Sequence, residues 1–206
     1  MNLPFAAAGL IAVASLAAPA AFAEPTAKGL VRQQTPATAQ ETTTAPGQAA
    51  AATGQAASAP APDTYEILGK EGKRIGEASF TASPHGVLID ITVEAGALPP
   101  GKRGLHLHEK GDCSDHGEFK KAGSHEGHGE GKHGLLNPNG PEPGDLPNLI
   151  VLSDGSAQAA LFTNLVKLDQ LKDGDGSALI IHAEKDDHIS QPIGNAGARV
   201  ACAAIK

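Results

Sequence analysis

The sequence predicts an all-β fold, a sandwich or barrel of short strands, on three observations. Apolar residues alternate with period two: in the run 87–93, positions Val87, Ile89, Ile91 and Val93 are all β-branched, the pattern of a strand with one buried face. Gly (25) and Pro (15) are abundant in a chain of 206 residues, which favours turns over long helices. Aromatic residues make up only 3% of the chain, with no Trp, so the core must be assembled mainly from Ile, Val, Leu and Ala.

The chain opens on a different pattern. Met1 to Ala23 carries no charged side chain, and its apolar run ends in Ala21-Phe22-Ala23, the small-x-small signature of a cleaved export signal. The run is short and Ala-rich for a membrane span, so the reading is a signal peptide over 1–23 and no transmembrane anchor. Residues 24–63 are an Ala/Thr/Pro/Gln-rich linker. From Gln33 to Pro62 there is no Ile, Leu, Val or aromatic residue to offset ordering entropy, so the linker is expected to be disordered. The folded domain is expected over 64–206.

Within that domain seven stretches read as strands: Glu66 to Leu68, Ile75 to Thr81, Val87 to Val93, Gly104 to His108, Ala157 to Phe162, Ala178 to His182 and Arg199 to Ile205. Turn clusters such as Ser83-Pro84-His85-Gly86 and Leu98-Pro99-Pro100-Gly101 separate them. Two long, polar, Gly-rich stretches, 109–148 and 183–198, do not fit the strand pattern, and loops of such length usually carry function.

The net charge of −7 argues against nucleic acid as a partner, because duplex binding relies on Lys and Arg neutralising phosphates. Cys113 and Cys202 are the only cysteines, and in an exported chain this single distant pair is a candidate disulfide, two free buried thiols being the alternative.

Eight of the nine His fall between 106 and 188. On a strand, His106 and His108 flank Leu107 and face the same side, as two ligands of one metal must. His125 and His133 follow in a Gly-rich loop, Asp145 lies beyond a Pro-rich segment, and His182 ends an apolar strand. Imidazoles suit copper and zinc, and an added carboxylate suits zinc better than copper. His125-Glu126-Gly127-His128 is not the helical zinc-protease motif: its second His comes one residue early, and the surrounding glycines oppose a helix. His85, His116, His128 and His188 read as bland surface residues, with His128 the one alternative ligand among them.

These motifs, in this order, resemble the Cu/Zn superoxide dismutases, and most closely their bacterial periplasmic branch. The resemblance rests on Gly104-Leu105-His106-Leu107-His108, Ala122-Gly123-Ser124-His125, Lys132-His133-Gly134, Gly144-Asp145-Leu146 and the run Gly194 to Cys202, and it covers essentially all of 64–206. It implies an eight-stranded antiparallel Greek-key β-barrel. It implies copper on His106, His108, His125 and His182, with His125 shared with zinc, and a structural zinc on His125, His133 and Asp145. Asp186 takes the place of the carboxylate that joins a copper His to a zinc His, and Arg199 the place of the arginine beside copper. One position departs: the family has a zinc His three residues before Asp145, and this chain has Glu142. Either Glu142 or His128 would complete that site.

The implied function is disproportionation of superoxide to dioxygen and hydrogen peroxide, with Arg199 and His125 catalytic. The alternative is a non-catalytic copper- and zinc-binding module of the same fold. Lys110, Lys120, Lys121, Lys132 and Lys185 are candidates to steer the anion, and the protein is expected in the periplasm as a monomer or homodimer.

Overall fold

A computed structural model of the chain describes Ser58 and residues 60–206. The expected signal peptide and nearly all of the linker lie outside the described residues. Strand β1 (Asp63–Gly69) begins one residue earlier than the expected domain start, because Asp63 pairs with Phe80 and its carboxylate accepts a 2.7 Å bond from Lys172 Nζ.

The remaining strands follow as β2 (Arg74–Ser83), β3 (Gly86–Val93), β4 (Gly101–Arg103), β5 (Leu105–His108), β6 (Leu149–Val151), β7 (Ala157–Thr163), β8 (Ser177–His182) and β9 (Arg199–Ile205). Seven form one antiparallel sheet in the order β5-β8-β9-β1-β2-β3-β7, and these correspond to the seven stretches read as strands from the sequence. The short β4 and β6 pair with each other. β6 also packs beside β7, and β4 runs into β5 across Gly104, so the strands close on themselves. Counted with β4 and β5 as one broken strand, the barrel has eight.

Gly104 makes that break possible. Its N–H donates to Glu184 O and its carbonyl accepts from His182 N, and a Cβ there would lie 2.6 Å from Ala196 Cβ. The backbone can therefore turn from the β6 pairing to the β8 pairing while tightly covered.

The core confirms the aliphatic expectation. Val87, Ile89, Ile91 and Val93 of β3 are buried, while Leu88, Asp90 and Thr92 between them are exposed. They meet Ile67, Phe80, Leu105, Leu107, Leu179, Ile181, Ala203 and Ile205. β5 and β8 are buried on both faces. Leu105 and Leu107 point inward; His106 and His108 face the other way, on the same side as their cross-strand neighbours Ile180 and Ala178. A second apolar cluster of Cys113, Phe119, Ala122, Ala178, Ile180 and Cys202 covers that outer side.

Residues 109–148 hold a single 3-10 turn (Lys120–Ala122), and 183–198 hold no helix or strand. The Cys113–Cys202 disulfide is present, with Cα atoms 5.8 Å apart, and fastens the first loop to β9. It spans 89 positions, so it removes about 4 to 5 kcal/mol of loop-closure entropy from the unfolded chain. The Cys113→Ser/Cys202→Ser variant is therefore expected to lose about 4 kcal/mol of unfolding free energy in urea. A loss below about 1 kcal/mol would show that the bridge adds no such constraint.

Candidate metal centre

Strand β5 builds the site because both of its edges are occupied. One edge pairs with β8. The other is taken by loop backbone: Leu107 N donates to Gly144 O at 2.9 Å, Glu126 N to Leu107 O at 2.9 Å, and Glu109 N to Ser124 O at 3.0 Å. These bonds set Asp145 beside His106 and His125 beside His108 as isolated antiparallel bridges. His182, at the end of β8, lies across from Arg199 of β9.

Four imidazoles converge: ligand-capable atoms of His106, His108, His125 and His182 lie within 4.8 Å of one another, and all four residues are buried. Three rings commit one nitrogen to a fixed acceptor. His106 Nε2 meets Asp186 Oδ2 at 2.8 Å, His108 Nδ1 meets Gly123 O at 3.0 Å, and His182 Nδ1 meets Gly197 O at 3.1 Å. With those nitrogens protonated, lone pairs are left on His106 Nδ1, His108 Nε2 and His182 Nε2. These three atoms and His125 Nε2 are buried without a hydrogen-bond partner. An unsatisfied buried acceptor costs about 1–3 kcal/mol, and four at one point are what a cation ligated by imidazole requires.

A second cluster adjoins the first and shares His125. It contains His125, His133, Glu142 and Asp145, again with ligand atoms within 4.8 Å and all buried. His133 Nδ1 and Asp145 Oδ1 approach to 2.6 Å, yet they are misaligned as donor and acceptor. Both are turned towards a common point. Glu142 Oε2 lies 2.9 Å from His125 Nδ1. The donor set of two imidazoles and two carboxylates fits zinc. The residues present thus fit both metals.

Asp186 joins the clusters from behind. It accepts from His106 Nε2 through Oδ2, and through Oδ1 from His133 Nε2 at 3.1 Å and His188 N at 2.6 Å. Burial opposes its charge, but the hydrogen bonds from His106, His133 and His188 more than reverse that and hold it far below the usual carboxylate range. Gly194 lies over this carboxylate at φ +60°, where any side chain would run into Asp186 and His133.

Sequence reasoning missed part of this support. Asn148 accepts from Asp186 N at 2.8 Å and donates through Nδ2 to Asp186 O at 2.9 Å and His188 Nε2 at 2.8 Å. His188, read as bland, belongs to that network, and His128 makes a separate contact behind the second cluster, its Nδ1 3.0 Å from Glu142 Oε1. No spacing in the sequence marks His188, whereas His128, three residues after His125, is the alternative ligand of the sequence reading, and the folding back of the loop sets it behind Glu142 instead. His85 and His116 stay outside both clusters.

Arg199 is held beside the first cluster, its guanidinium donating to Phe119 O at 2.6 Å and Gly123 O at 2.7 Å. Gly123 O also serves His108, so one carbonyl positions both. Arg199 lines a depression of about 370 Å³ together with Lys120 and with Lys70, a lysine outside the expected steering set. Lys120 is exposed and 2.9 Å from Glu118, while Lys121 Nζ is turned to Ser114.

The fold and these sites define an antiparallel β-barrel with two adjoining metal-binding clusters. The copper/zinc superoxide dismutase (SODC) family profile matches residues 74–205. A superoxide dismutase [Cu-Zn] of Caulobacter vibrioides is 44% identical over 150 residues, covering 69% of this chain and 84% of that protein. The Escherichia coli K12 superoxide dismutase [Cu-Zn] is 36% identical over 148 residues, 66% and 80% of the two chains. The crystal structure of a SOD-like protein from Bacillus subtilis superposes with a TM-score of 0.64 at 35% identity, covering 71% of this chain and all of that one. The chain belongs to the copper/zinc superoxide dismutase family.

Protonation of these rings makes stability depend on pH once metals are removed. Burial, followed by charge on neighbouring imidazoles, pushes His125 and His182 down to about 3. An unfolded chain protonates both below about 6.5, so it binds more protons there and stability falls as pH drops towards 3. His133 runs the other way. Burial opposes its charge, but Asp145 and Asp186 outweigh burial and raise it to about 9. Its contribution is full below about 6.5 and is lost as pH rises towards 9. Chelator-stripped protein is expected to be most stable near about pH 6.5 in urea titrations, and a flat profile would contradict these assignments.

Proposed function

We propose that this chain disproportionates superoxide to dioxygen and hydrogen peroxide, with copper on His106, His108, His125 and His182 and zinc on His125, His133, Glu142 and Asp145. The observation that carries the reading is the convergence of four partnerless imidazole nitrogens beside a held guanidinium. Copper held by these imidazoles would supply one-electron redox chemistry in both directions, for which zinc has no couple.

The chain's own residues do the rest. Arg199 carries a permanent charge that attracts the anion, and its two carbonyl acceptors keep it from swinging away. Lys70 extends that positive potential across the depression, where Lys120 is paired with Glu118, in a protein of net charge −7. When not ligating copper, His125 Nε2 would take up a proton and give it to the departing peroxide, with solvent supplying the second proton that hydrogen peroxide needs. Asp186 keeps His106 and His133 in fixed tautomers, so their free nitrogens stay turned to the metals.

His182→Ala is expected to lose copper and with it superoxide decay. Arg199→Ala should keep its copper and slow the reaction roughly ten- to a hundredfold. Metal content and superoxide decay are measured on the same samples. A wild-type rate in Arg199→Ala across ionic strength would remove the arginine from the mechanism. Copper-loaded wild type without turnover would instead mark a metal-holding module of this fold.

Export to the periplasm accompanies this reading. It is supported by the disulfide, by the apolar 1–23 segment, and by the lack, among the described residues, of any helix long and apolar enough to cross a membrane. The mature chain is expected to begin at Glu24, with the linker preceding the barrel. Intact mass of the periplasmic form checks this, and a retained Met1 would contradict it.

A further inference from the structure

Three of the four ligands of the second cluster, Asp145, His133 and Glu142, share a construction: one polar atom is held by the protein and another is presented to the centre. Asp145 Oδ2 accepts from Gly134 N at 2.7 Å and Glu142 N at 2.9 Å, leaving Oδ1 free. His133 Nε2 is held by Asp186, leaving Nδ1 free. Glu142 obeys the same rule only through His128, whose Nδ1 lies 3.0 Å from Oε1 while Oε2 faces His125.

His128 itself is not placed to be a ligand. Its side chain is 56% exposed, and it stands outside the buried group of four. It is nevertheless fixed in position, because its N–H donates to His125 O at 3.1 Å in a turn that starts at His125. The side chain of Glu142 has one more rotatable bond than that of a histidine, and its carboxylate can present either oxygen or both. Holding one oxygen removes that freedom.

We propose that Glu142 and His128 act in series: Glu142 presents Oε2 as the fourth zinc ligand, and His128 is the positioning residue that donates to Oε1. The inference rests on the two-metal reading above. His128 thereby replaces, at one remove, the nitrogen that the family pattern has at position 142.

The test is zinc affinity, measured by competitive chelation on full-length protein stripped of metal and titrated with zinc. Glu142→Ala is expected to bind at least about 100-fold more weakly, and His128→Ala about tenfold more weakly, as for loss of a group supporting a ligand. His128→Asn should recover most of that loss, because its amide nitrogen sits near the place of Nδ1. In a Glu142→His background, His128→Ala should change affinity less than about twofold, since no second oxygen remains to be held. The absorption of the cobalt-substituted site should shift in His128→Ala and return in His128→Asn. If His128→Ala binds zinc like wild type, or loses as much in the Glu142→His background, the series arrangement is wrong while the two-metal reading stands. Wild type that takes up copper but no zinc would overturn the reading itself.

Discussion

A buried imidazole nitrogen without a partner is costly, and this barrel brings four of them to one point. The rest of the structure follows from tolerating that. At His125 and His182 protons do not relieve it, because burial, followed by charge on neighbouring imidazoles, keeps those rings neutral down to about pH 3. A cation does. The centre is therefore a demand for metal written into the packing, and β5 is where the demand is assembled. Its leucines belong to the core and its histidines to the site, so register errors in this strand would exchange the two.

Ring orientation depends on a shell of acceptors shared between backbone carbonyls and the Asp186 carboxylate. Gly123 O and Gly197 O each fix one copper-side ring, and Asp186 fixes one ring from each cluster. Backbone carbonyls cannot swing as side chains do, so the free nitrogens are aimed before any metal arrives. At Gly194 the chain must pass directly over Asp186 with no room for a Cβ.

The disulfide links this shell to the substrate side. It fastens the segment that contains Phe119 and Gly123 to β9, and those two carbonyls are the acceptors of Arg199. Arginine, the covering loop and the His108 ring are thus held by one connection. Arg199 and Lys70 line one depression with Lys120 and its ion-pair partner Glu118.

Much of this was legible in the chain itself. The period-two runs marked seven strands, the two polar stretches marked the loops, and the order of His106, His108, His125, His133 and His182 marked the chemistry. Strands β4 and β6 were missed because three residues are too few to show alternation. What the sequence alone determined was local: which faces are apolar, which residue types can bind metal, and which cysteines can pair. The tertiary structure decided which groups stand behind the ligands. Lys70 reaches the depression of Arg199 from the turn after β1, while Asn148, His188 and His128 gain their places only when loops fold back on β5, and hydrogen bonds between residues 14 to 40 positions apart leave no periodic trace in a sequence.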